Sequence, residues 1–163
     1  MPLHLEPLDF RADLQDANAV LIVSCPICPP VSLATADNSA FIDLFEGGLK
    51  TPAFENHIQE IRKLLDQSGI RSDVFSSRVP CPAMCLWTKG QRRRLRKRAR
   101  KYDAVLVLGC ESARLSAEQA LESDQCRVVL GMRMTGITNA TVSLQSPFRI
   151  TFKNVARVKG NRV

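Results

Sequence analysis

Apolar runs separated by helical patterns constrain this chain more than any other feature. Residues 19–25 (AVLIVSC), 104–110 (AVLVLGC) and 126–132 (CRVVLGM) have the length and β-branched content of strands buried on both faces. Residues 72–79 (SDVFSSRV) read as a further strand. Ahead of it, Phe54, Ile58, Ile61, Leu64 and Leu65 recur at helical spacing until Ser68-Gly69. Residues 89–102 and 116–122 also read as helices, whereas the stretch after Cys28 reads as a Pro-, Ser- and Asn-rich loop. A short helical piece is expected from Ser39 to Gly47. Alternating strands and helices need crossovers, and crossovers cover a parallel sheet with helices on both faces. The expected fold is therefore α/β, a flavodoxin-like or Rossmann-like three-layer sandwich with a mostly parallel central sheet. It spans residues 19–138, after an N-terminal tail of residues 1–18. Residues 139–163 read as an antiparallel strand pair turning at Ser146-Pro147, either an extension of the same domain or an interaction arm.

In such a sheet, ligands bind beyond the carboxyl ends of the strands. Here the first strand ends at Cys25, with Cys28 completing C-P-I-C. The second is followed by C-P-A-M-C, Cys81 and Cys85, and the third ends at Cys110. Parallel strands deliver these thiols to one edge, and neighbouring strands stand only about 4.8 Å apart. Thiolates in this number suit zinc or an iron–sulfur cluster. Cys81, with Pro82 at a first helical position, and Cys110 each precede an expected helix start, where a thiolate is favoured. Cys126 begins a strand and belongs at the opposite edge, as a small apolar residue. The plain alternative for any one strand-end cysteine is packing.

The formal charge of +7 suggests nucleic acid until it is located. Nine cations lie between Lys89 and Lys101 with no acid among them, leaving 14 basic against 16 acidic residues elsewhere. No aromatic residue interleaves with them, so nucleic acid is not favoured; a solvated helix face or a docking surface for protein partner subunits fits better. No segment carries the roughly 20 apolar residues of a membrane span, and the first residues lack a signal-peptide pattern. No membrane insertion is expected, and the localisation expected is cytoplasmic, with cysteines as thiols or ligands.

At VLIVSCPIC, SSRVPC and YDAVLVLGC the chain resembles two groups of anaerobic redox accessory domains. One is the zinc- or iron–sulfur-containing C-terminal domain of the accessory subunit of acetogen-type methylenetetrahydrofolate reductase. The other is the delta subunit of methyl-viologen-reducing hydrogenase, which passes electrons to a heterodisulfide reductase-type complex. The resemblance covers about residues 19–132. It implies an iron–sulfur accessory or electron-transfer protein, with Cys25, Cys28, Cys81 and Cys110 holding a [4Fe-4S] or [2Fe-2S] cluster. Cys85 is additional to both patterns and stands as a spare ligand. Pro29-Pro30 stand where the reductase domain has a further cysteine and a Gly-Gly.

Two other readings stay open. One is a zinc-stabilised structural or docking domain. The other is a dithiol–disulfide oxidoreductase using Cys25 and Cys28, although its motif normally opens a helix and Pro29-Pro30 argue against a prompt start. Acid–base catalysis finds little support, with His4 in the tail and His57 beside the polar Asn56 and Gln59. Glu111 could stand near the centre. Gly109 and Gly131 lack a phosphate-binding fingerprint.

Overall fold

The computed structural model describes residues 2–43, 51–122, 126–146 and 149–159. Strands β2 (Ala19–Ser24), β4 (Arg71–Phe75), β5 (Ala104–Leu108) and β6 (Arg127–Leu130) form a wholly parallel sheet in the order β4-β2-β5-β6. The central β2 and β5 are buried at every position, which is why their sequences are unbroken apolar runs. Helices α2 (Cys28–Ala36) and α3 (Pro52–Gln67) connect β2 to β4 and pack on each other. Helix α4 (Lys89–Ala99) connects β4 to β5, α5 (Glu111–Leu121) connects β5 to β6, and these two also pack together. The first crossover runs one way across the sheet and the next two run the other way. Right-handed connections then place the two helix pairs on opposite faces. The chain leaves β2 on one side and returns on the other at β5, so the crevice between their ends is the switch point of the sheet.

A second, antiparallel sheet joins β1 (Leu3–Pro7), β7 (Met132–Ser146) and β8 (Arg149–Lys159), with the two-residue β3 (Ile42–Asp43) on the outer side of β8. The expected C-terminal pair is therefore present. It begins at Met132, directly after β6, and belongs to its own sheet rather than extending the parallel one.

Several local expectations need correction. The stretch expected as an N-terminal tail is structured from residue 2: it supplies β1 and the single turn α1 (Arg11–Leu14), with Leu5 and Leu14 buried. The partner of β1 lies more than 120 residues later, so no local pattern announces it. The expected loop after Cys28 is helix α2. Proline lacks an N–H and has a fixed φ, both of which the first helical turn accepts, so Pro29-Pro30 start this helix instead of preventing it. The expected helix from Ser39 is extended at Ile42–Asp43, and its remainder, including Gly47, lies outside the described residues. The strand expected over 72–79 ends at Phe75. Of the α3 stripe, Phe54, Ile58, Ile61 and Leu65 are buried, but Leu64 is 46% exposed.

Candidate functional site

Cys25 follows β2 directly, and its backbone N–H donates to the Leu108 carbonyl at 3.0 Å. That bond ties the first cysteine loop to the end of β5. Gly109 permits the approach: a Cβ there would stand 3.5 Å from the Cys25 Cβ and 2.7 Å from the Ala113 Cβ. Cys110 is the N-cap residue of α5, buried, with its carbonyl accepting the N–H groups of Ala113 and Arg114. The third strand thus carries Cys110 to the side of Cys25, at the switch point.

Cys28 opens α2 and is half-buried. Cys85 sits in a 3-10 turn, Met84–Leu86, that packs against α5 and leaves this cysteine exposed. Met84 is fully buried beneath it, and the following Trp87 packs edge-on against Phe75 at 6.0 Å. The electrostatics register the convergence. Burial pushes the Cys25 thiol up, the backbone N–H groups of Met84 and Ile27 pull it back, and charge on Cys28 and Cys110 raises it again. Burial also pushes the Cys28 thiol up, opposed by the Leu3 N–H and reinforced by charge on Cys110 and Cys85. Cys25 therefore lies within reach of Cys28 and Cys110, and Cys28 within reach of Cys110 and Cys85.

Cys81 behaves differently. Its sulfur donates within its own loop to the Ala83 carbonyl at 3.8 Å, and its carbonyl accepts from Gln91 Nε2 at 2.6 Å. No α-helix starts at Pro82, which corrects the expectation of a helix N-terminus beside Cys81; the chain makes only the 3-10 turn at Met84. Cys126 lies just before β6 at the opposite edge of the sheet, partly buried against the core.

Gln91 was not legible as a site residue. It is fully buried and reciprocates with Thr88 in a capping box at the start of α4. Its amide also donates to the Ser77 carbonyl at 3.3 Å and Ser77 Oγ at 3.2 Å. The T-x-x-Q spacing predicts the cap, but not that the same side chain fastens the Cys81 loop to the helix. Ser32 is a second such residue. Its hydroxyl accepts the Leu5 N–H at 2.9 Å and stands 3.0 Å from the carbonyls of Leu3 and Cys28, joining β1 to the first turn of α2.

His4 is buried, with Nδ1 3.1 Å from Thr138 Oγ1, and burial lowers its pKa. His57 is half-buried, not exposed as its neighbours suggest, and burial lowers it too. Glu111 accepts the Met134 N–H at 3.3 Å, a structural contact at the start of α5. A cavity of about 450 Å³ opens beside the C-P-I-C loop, between Pro26, Pro30, Phe54, Arg62 and Arg78, and no cysteine lines it.

The donors gathered near the switch point are thiols, and backbone N–H groups approach those of Cys25 and Cys28, which is the chemistry a thiolate-bound centre would use. Among the described residues, no group of three or more His, Cys, Asp or Glu side chains is arranged so as to hold a metal ion. Among them too, no helix is long and apolar enough to cross a membrane. Comparison with protein-family models, with curated proteins and with solved structures finds no match.

Proposed function

We propose that this chain is an iron–sulfur accessory or electron-transfer protein of the cytoplasm, built on a flavodoxin-like arrangement of the parallel sheet. The support for the reading is that Cys25 is tied to the end of β5 beside Cys110, with Cys28 in reach of both and of Cys85. The ligand set proposed differs from the one the resemblance implies. Cys85 takes the fourth position, and Cys81 serves the loop that carries it. A bound cluster would supply a one-electron carrier, and the chain would set its potential through burial and through the N–H groups of Ile27, Met84 and Leu3 near sulfur. The family suggested by VLIVSCPIC and YDAVLVLGC supports a place in a methylenetetrahydrofolate reductase- or heterodisulfide reductase-like complex.

The test is anaerobic purification followed by visible absorption and by iron, sulfide and zinc analysis per chain. Brown protein with iron and sulfide is the expected result. Cys85→Ser should lose the iron and Cys81→Ser should retain it. One zinc per chain in colourless protein would replace the cluster by a structural zinc site.

One observation favours a second reading. Helix α2 opens at Cys28, so the C-P-I-C pair does stand at a helix N-terminus, where a thiolate is favoured. As a dithiol, Cys25 and Cys28 would form one S–S bond and pass two electrons and two protons to a disulfide substrate. Metal-free protein with a reversible Cys25–Cys28 disulfide would establish that reading instead.

A further inference from the structure

The nine-cation segment acquires a specific place once folded. Its inner side is fixed. Leu95 and Ala99 are fully buried, Arg96 donates to the Ala120 carbonyl at 2.7 Å and Arg92 to Gln119 Oε1 at 2.6 Å. Arg98 stands 3.9 Å from Asp73, with both side chains about half exposed. Lys89, Arg93, Arg94 and Lys97 remain exposed on the outward side.

Two of the most exposed apolar residues flank this helix. Val79 is 73% exposed, and its carbonyl accepts from Arg94 Nη2 at 3.4 Å. Leu86 is 70% exposed and lies between the exposed Cys85 and the helix cap at Thr88. Buried Gln91 binds the helix start to Ser77 and Cys81, so the cysteine loop and the cationic helix move as one piece.

We infer that the outward cations of α4, with exposed Val79 and Leu86 on its flanks, form the docking surface for an acidic protein partner, which would also cover the exposed Cys85. Exposed aliphatic side chains set beside charge are a feature of protein interfaces. The charge here carries one sign, so its complement is acidic, and long-range attraction would orient the encounter. A second copy of this chain is disfavoured because two such faces repel. Nucleic acid fits less well, since Trp87 and Tyr102, the aromatics at the two ends of the helix, are both buried and offer no stacking platform. The electron-transfer role of the contact rests on the cluster reading above; the docking surface rests on exposure and charge alone.

Titration of the 15N-labelled full chain with a synthetic peptide of alternating Glu and Leu at low salt tests the surface. Amide shifts are expected to gather over residues 79–97. Arg93→Glu with Lys97→Glu should weaken binding by about tenfold or more, while iron content stays as in the parent chain. Lys153→Glu with Lys159→Glu, an equal change of net charge on exposed β8, should leave binding within about twofold. Shifts centred on β8, equal weakening by both pairs, or tighter binding of a DNA duplex than of the peptide would overturn the proposal. Colourless protein that still binds the peptide at α4 would remove the cluster and keep the surface.

Discussion

The two ends of the parallel sheet are held by different chemistry. At the amino end, the Asp103 carboxylate accepts the N–H groups of Asn18 and Ala19 at 2.8 and 2.9 Å, and Arg127 pairs with Asp16 at 2.7 Å. Those bonds seal the strand starts with carboxylates and a guanidinium. At the carboxyl end, Cys25 and Cys110 are buried among apolar neighbours, and loops rather than carboxylates join the strands. One end is finished as protein. The other gathers thiols, and at Cys25 and Cys28 burial opposes ionisation.

The contrast can be broken most decisively at the cysteines. Cys110→Ser should reduce bound iron more than about tenfold, read by iron analysis of anaerobically purified protein. Asp103→Ala, at the sealed end, should leave iron unchanged and lower the unfolding free energy by about 2–3 kcal/mol in urea titration, since two backbone donors lose a charged acceptor. If the iron went with Asp103, the two ends would not be separable.

Gln91→Ala should cost about 1–3 kcal/mol by the same titration, because the Ser77 and Cys81 carbonyls and the helix cap lose one fully buried partner. A smaller effect is expected from pH. Folding raises the Cys25 and Cys28 thiols above their ordinary value of 9.0, so their contribution is intact below pH 9 and fades as pH rises through the folded values. The metal-free chain should therefore lose melting temperature above pH 9, and Cys25→Ala should flatten that slope. Cys126→Ser should do least, changing stability by under about 1 kcal/mol and iron content not at all.

The parallel sheet was legible because each of its central strands is continuously apolar, a local signal that burial on both faces requires. The convergence of Cys25 and Cys110 followed from strand direction alone. The antiparallel sheet was only half legible. The β7 and β8 pair shows its alternation, but β1 is five residues long and meaningful only against Met132–Ile137. Helix α2 was hidden by Pro29-Pro30, which end a helix when they fall inside it and begin one when they fall in its first turn. The anchoring of the Cys81 loop was hidden for another reason. The backbone path of C-P-A-M-C depends on Gln91, ten residues after Cys81, and no spacing rule reports such a contact.

The bond between His4 and Thr138 spans 134 residues, and among the described residues β1 has no other strand neighbour than β7. At a translation rate of ~5–20 residues per second, the ribosome makes β7 roughly 7–27 seconds after β1. Through that interval the strand β1 pairs with is not yet made, while β2, β4 and then β5 emerge and become available to one another before β7 does. The nascent chain can thus assemble the thiol-bearing crevice before its outer sheet closes, and the Leu3 N–H near Cys28 arrives as the last piece of that site.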